Sequence, residues 1–167
     1  MFFFKSMLVV ICLFFNLHAK DNKTSLLPNI NEVYFLPKEA DIAKDNILKL
    51  IKKSKNNISI AMYNFSYKKF AKELISSSKD GVKVTIILDK SKITKNDKIY
   101  KYLKSNGINI KIADKKMHMK IAIFDERLAV IGSINWTKES FKDNYEVILF
   151  TKDKKTINKM LNSLNRF

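Results

Sequence analysis

"HMKIAIFDERLAVIGSINWT", residues 118–137, is the stretch whose reading decides the fold of this chain. Apolar residues recur through "HMKIAIFD" and "LAVIG", with "ER" between them, which predicts two strands joined as a hairpin. Residues two apart on a strand point to one face. His118 and Lys120 therefore share a side, while Met119, Ile121 and Ile123 take the opposite, core-facing one. Ser133 and Asn135 repeat the spacing just beyond the second strand, and Gly132 allows a close backbone approach before them. The hairpin thus brings an imidazole, an ammonium, a hydroxyl and a carboxamide to one end of one sheet face.

That set suits a phosphate. Lys120 supplies charge and Ser133 and Asn135 supply neutral donors, so together they can hold non-bridging oxygens and stabilise a five-coordinate transition state. A neutral, oriented His118 can attack phosphorus, and an ordinary imidazole pKa of about 6.5 leaves a neutral fraction at pH 7. Orientation calls for a carboxylate at the other ring nitrogen, for which Glu146 in "NYEVILF" is the candidate. Asp125 is counted with His118, Lys120 and Glu146 in the candidate catalytic set, although a structural role, closing the hairpin turn, is preferred for it. Asp89, in "ILDK", and Asn144 are read as structural neighbours of the site.

Outward from the hairpin the pattern alternates. "EVYFL", "NISIAMYNF", "VKVTIILD", "INIKIA" and "YEVILF" read as strands. Between them, "EADIAKDNILKLIKKS", "SYKKFAKELISSSKDG" and "NDKIYKYLKSNG" have helical spacing, with Ser66 as the expected N-cap of the second. A short helical turn follows Asn135, and "KDKKTINKMLNSLNRF" predicts a C-terminal helix. The expected fold is α/β, a mixed sheet with helices on both faces, forming a single domain over residues 30–167.

The first nineteen residues stand apart. Lys5, the apolar run "MLVVICLFFNL" and Ala19 describe a secretory leader, followed by a polar linker over residues 20–29. The run falls short of the roughly 20 apolar residues that span a bilayer. Cleavage after Ala19 is the preferred reading and retention as an N-terminal membrane anchor is its rival. Either places the domain outside the cytoplasm, in the periplasm or at a membrane. Cys12, the sole cysteine, lies in this leader, so the mature domain is expected to lack thiol catalysis and cysteine-based zinc sites. His18 also lies there, leaving His118 as the single imidazole, and no metal or cofactor is expected.

Thirty-two Lys and Arg against 16 Asp and Glu give a net charge of +16, a field that attracts polyanions, whether nucleic acid or an anionic membrane surface. Lysine also keeps surfaces soluble, so charge alone names no chemistry. Tyr63, Phe65 and Trp136 are candidate base-stacking residues near the motif, as Tyr67 is more distantly, against an ordinary place in the core.

The motif residues carry a resemblance. His118, Lys120, Asp125, Gly132, Ser133 and Asn135 stand at the spacing H-x-K-x4-D-x6-G-S-x-N, which resembles the signature of the phospholipase D superfamily. The stretches "ISIAMYNFS", "KDGVKVTIILDK" and "NYEVILF" resemble its small nuclease branch, so the likeness runs over residues 30–165. The resemblance implies His118 as a nucleophile forming a phosphohistidine. It implies Lys120 and Asn135 as phosphate ligands assisted by Ser133, Glu146 as the orienting acid, and Asp125 as a brace. It also implies chemistry without a divalent metal.

Such chemistry needs one histidine to attack and another to protonate the leaving oxygen. This chain carries the motif once, so a twofold homodimer with a composite site is expected. Three functions follow in order of preference. The first is a metal-independent endonuclease of low sequence specificity that favours single strands of DNA or RNA. The second is hydrolysis of phospholipids such as cardiolipin, and the third a basic DNA-binding protein without turnover.

Overall fold

The computed structural model describes residues 31–94 and 97–167; the leader and linker lie outside the described residues. Seven strands form one sheet: β1 (Glu32–Leu36), β2 (Asn57–Met62), β3 (Lys83–Asp89), β4 (Asn109–Ala113), β5 (Lys120–Phe124), β6 (Leu128–Gly132) and β7 (Glu146–Thr151). Their order across the sheet is β1-β7-β6-β5-β2-β3-β4. Strands β2, β3 and β4 are parallel, and the β5–β6–β7–β1 half is antiparallel throughout. The helices are α1 (Ala40–Lys53), α2 (Lys68–Lys79), α3 (Lys98–Ser105), α4 (Lys138–Lys142) and α5 (Lys154–Leu164).

Period-two alternation sorts the side chains into two cores. Ile58, Ile60 and Met62 of β2 face the helical layer that contributes Ile47 and Ile51 of α1, Phe70 and Leu74 of α2, Leu103 of α3 and Phe141 of α4. Ala61, Ile87, Ile121 and Ile123 point the other way, onto Ile157 and Leu164 of α5. The mixed sheet with helices on both faces agrees with the sequence reading. The face of His118 and Lys120 is also a core face, since Ala122 and Phe124 continue it into the larger cluster.

Two local expectations are corrected. Ser66 does not cap α2: Tyr67 holds the N-cap position with no side-chain cap bond. The Ser66 and Tyr67 amides instead donate to the Trp136 carbonyl at 2.9 and 2.8 Å. Strand β5 begins at Lys120 rather than His118, because the preceding loop is tied elsewhere. The Met117 amide donates to the buried Asp89 carboxylate at 2.6 Å.

The hairpin connection spans residues 125–127 between the paired Phe124 and Leu128; Asp125 and Glu126 are left-handed at φ 49° and 56°, and the Arg127 amide donates to the Phe124 carbonyl at 3.0 Å. Among the described residues no helix is long and apolar enough to cross a membrane.

Candidate active site

The catalytic candidates meet at the carboxyl end of the parallel strands. β5 starts there, β6 ends there and β7 starts there, which gathers His118, Lys120, Ser133 and Glu146 from segments distant in sequence. Gly132 is required by packing. A Cβ at this position would overlap the Val147 carbonyl oxygen of the adjacent strand. The tight approach lets the Ser133 amide donate to that oxygen at 3.1 Å while Ser133 Oγ accepts from the Val147 amide at 3.2 Å.

His118 is exposed, whereas Lys120 is only 8 % exposed. Lys120 Nζ lies 3.1 Å from Nδ1 and 3.3 Å from Nε2 of His118 and donates to the His118 carbonyl at 2.9 Å. An ammonium beside both ring nitrogens favours an imidazole that keeps its lone pair. Local desolvation, then the charges of Lys120 and Lys116, hold the His118 pKa below its ordinary value, with Lys92 adding and Asp89 opposing. Burial likewise lowers the pKa of Lys120, against the nearby charge of Glu146.

Glu146 does not take the place expected of it beside the His118 ring. Its carboxylate accepts from Ser133 Oγ and, at 3.2 Å, from Asn144 Nδ2. It steadies the β6–β7 side of the site and lends negative charge to Lys120, and among the described residues no hydrogen bond joins it to His118.

Asn135 is held by its neighbour. Trp136 is 1 % exposed, meets Phe65 edge-on at 5.3 Å and Phe70 at 4.8 Å, and donates its amide to the Asn64 carbonyl at 3.1 Å. Ring and backbone together pin the loop that presents Asn135. Asn135 Oδ1 is buried without a hydrogen-bond partner among the described residues; as an acceptor it can meet only a donor, so a grip on a phosphate oxygen falls to Nδ2 of the same amide.

This packing corrects two aromatic candidates. Phe65 and Trp136 are core residues and offer no face to a base. Tyr67 is likewise packed against Phe70 and Phe141. Tyr63 alone reaches the site, its ring centroid 4.2 Å from that of His118, with the ammonium groups of Lys120 and Lys92 at 5.0 and 4.7 Å from the ring.

Asp125 stands at the far end of β5 from Lys120, about 16 Å away along an extended strand. Its carboxylate accepts from the amides of Lys55, Asn56 and Asn57 at 2.8–3.1 Å. It ties the hairpin turn to the end of α1 and has no contact with the site. Lys92 and Lys116 were not separable in the sequence from the other basic residues. Asp89 was visible as an acid at a strand end, but not the clamp it makes.

The comparisons agree with this geometry. Residues 47–167 match the family described as cardiolipin synthase, PLD-like domain. NucT from Helicobacter pylori is similar at 30% identity and a TM-score of 0.74, over 81% of this chain and 93% of that one. Nuc from Salmonella typhimurium, a phospholipase D family member, is similar at 25% identity and a TM-score of 0.72, over 81% and 91%. The mitochondrial cardiolipin hydrolase of Homo sapiens is 25% identical over 74% of this chain and 50% of that protein, so the chain spans about half the length of this curated relative. With the family match covering most of its length and the motif side chains gathered at one sheet end, the chain belongs to the phospholipase D superfamily.

Proposed function

We propose that this protein is a metal-independent phosphodiesterase that cleaves nucleic acid through a phosphohistidine in a homodimer. The observation that carries the chemistry is an exposed imidazole, biased toward its neutral form, with the Lys120 ammonium against its ring nitrogens. A phosphodiester entering the site draws Lys120 onto a non-bridging oxygen, and Asn135 holds another. A neutral ring nitrogen of His118 attacks phosphorus as the bond to the leaving oxygen breaks, and that oxygen takes a proton from the partner subunit's His118, which enters the step as the imidazolium and leaves it neutral. The same group then accepts a proton from water, which attacks phosphorus and releases His118.

Among the described residues the protomer supplies one histidine, His118, and in this reading a second copy completes the site. We place that copy on the β1–β7 face turned away from the larger core. There Phe35, 63 % exposed, lies directly across from Val147, with Val33 beside them. Phe35→Glu is expected to give a monomer in sedimentation and to abolish turnover. A variant that stayed dimeric, or a monomer that remained active, would count against this face.

Nucleic acid is favoured as substrate because the chain matches nearly the whole of NucT and Nuc, and because lysines crowd the site. Since the motif grips phosphate and reads no base edge, little sequence specificity is expected. The single-strand preference now rests on Tyr63 alone. A phospholipid head group is the second reading, supported by the family description and the cardiolipin hydrolase relatives. If the leader is exported, the reaction takes place outside the cytoplasm.

The test offers single-stranded DNA, duplex DNA, RNA and cardiolipin vesicles side by side in EDTA, with His118→Ala as control. Nucleic-acid cleavage that survives EDTA and vanishes in the variant is the expected result. Head-group release alone selects the phospholipid reading. Equal background in both proteins would leave a DNA-binding protein without turnover.

A further inference from the structure

Two loops beside His118 carry lysines that the reaction above does not use. Lys90 and Lys92 sit on a 3-10 turn directly after β3, and Lys115 and Lys116 sit between β4 and β5. Asp89, 1 % exposed, laces the loops together. Its carboxylate accepts from Ser91 N at 2.8 Å, from Ser91 Oγ, and from Met117 N at 2.6 Å. With its capacity spent on these bonds, Asp89 fixes where the lysines stand rather than pairing with one of them.

Between the loops lies a cavity of about 500 Å³, lined by Tyr63, Asp89, Lys90, Ser91, Lys115 and Lys116, with Asp114 at its wall. Lys92 stands over the Tyr63 ring at 4.7 Å, and the same ring packs on His118. Among the described residues none of these four lysines is in an ion pair. Like charges gathered around a cavity repel one another, and a bound anion relieves that repulsion. Tyr63 both lines the cavity and packs on His118, so the anion the cavity fits is the next phosphate of the chain being cut.

We propose that the Lys90–Lys92 turn and the Lys115–Lys116 loop form a second phosphate subsite, which makes the enzyme selective for a diester with a neighbouring phosphate, as in an oligonucleotide. The proposal rests on the phosphodiesterase reading and deepens it. Tyr63 separates the two phosphates, with Lys120 serving the scissile one and Lys92 the next. The charges of Lys92 and Lys116 reach the imidazole, which places both beside the reaction rather than on a remote surface.

The test compares a short single-stranded oligonucleotide with bis(4-nitrophenyl) phosphate, a diester with no neighbour. Rates are compared over a pH profile, because one His118 of the dimer attacks as the neutral imidazole while the other gives its proton as the imidazolium. Lys92→Ala/Lys116→Ala is expected to lower kcat/KM on the oligonucleotide by about tenfold or more, the order of effect lost with phosphate contacts. The loss is read as the fall in the ratio of kcat/KM on the oligonucleotide to that on bis(4-nitrophenyl) phosphate, so that a change common to both substrates through the His118 titration cancels. Lys98→Ala/Lys101→Ala, which removes the same charge from α3, is expected to leave both substrates within about twofold, separating the subsite from the general field.

Replacing the neighbouring phosphate by a neutral methylphosphonate should cost the parent what the double variant loses, and cost the variant nothing more. Equal loss on both substrates, or no loss on the oligonucleotide, would overturn the subsite. If the protein hydrolyses bis(4-nitrophenyl) phosphate but no oligonucleotide, the nucleic-acid substrate falls and the subsite with it. Hydrolysis of neither overturns the phosphodiesterase reading itself.

Discussion

Replacing Asp125 by Ala separates the two roles that a motif aspartate can have. In the structure its carboxylate takes the amides of Lys55, Asn56 and Asn57 and lies at the opposite end of β5 from His118. Hydrogen bonds to a charged group contribute about 1.5–3 kcal/mol each. Lys55 and Asn56 are exposed and recover water when the carboxylate is removed, so the lost bonds sum to about 2 kcal/mol rather than three full contributions. Alanine at φ 49° adds about 1 kcal/mol of backbone strain that Asp tolerates better. A total of about 3 kcal/mol lowers Tm by roughly 10 °C in a domain of this size.

The assay pairs thermal and urea unfolding with turnover of bis(4-nitrophenyl) phosphate at 20 °C, where both proteins are folded. Turnover per folded molecule should stay within about threefold of the parent, since no reacting atom is touched. Asp125→Asn, which keeps one acceptor and the left-handed preference, should lose less stability. The pH dependence follows from the same contacts. Burial alone would raise the pKa of Asp125, but the three amides, with the charge of Arg127, hold it below the ordinary carboxylate range. Its contribution is therefore complete above the unfolded value near 4 and is lost as pH falls through the lower folded value. The gap between parent and variant should narrow only in acid, down to the part that is backbone strain. A variant with unchanged Tm whose turnover drops a hundredfold would refute the reasoning.

Three further outcomes are expected. Gly132→Ala pushes a methyl group into the Val147 carbonyl, costing about 1–3 kcal/mol and displacing Ser133 and Asn135, so Tm and turnover should fall together; a variant neutral in both would remove the packing argument. In Lys120→Met the imidazole loses a neighbouring positive charge, so the His118 pKa seen by NMR should rise toward about 6.5 while turnover falls by about 10²-fold or more. An unmoved titration would contradict the placement of Lys120. Trp136→Ala should cost about 3–5 kcal/mol as a core truncation, and weaker binding of single strands with unchanged melting would return Trp136 to the base-stacking role.

The strands and helices were legible because their apolar periods are intact, from "EVYFL" to the C-terminal helix. The site was legible through fixed gaps that become shared faces in a hairpin. Environment was not. Nothing in "SINWT" tells an indole held by Phe65 and Phe70 from one offered to a base, and proximity to Asn135 pointed the wrong way. Glu146 shows the same limit. Its strand position was readable, but its choice of Ser133 and Asn144 depends on how three chain segments meet. The lysine loops were hidden by number, since 32 basic residues give no reason to single out Lys92 or Lys116.

Strand β5 has His118 and Lys120 at one end and the Asp125 anchor at the other. The distance from Lys120 to Asp125 along the chain therefore acts as a ruler. One residue inserted between them would turn Lys120 from the α1–α2 side of the sheet to the α5 side, because the anchor cannot slide. Two residues would restore the facing but lift the ammonium out of reach of Glu146. The four positions between Lys120 and Asp125, buried in the two cores, are thus held apolar by packing and fixed in number by the anchor. What the spacing fixes there is a length, set by an anchor at the far end of the strand from Lys120.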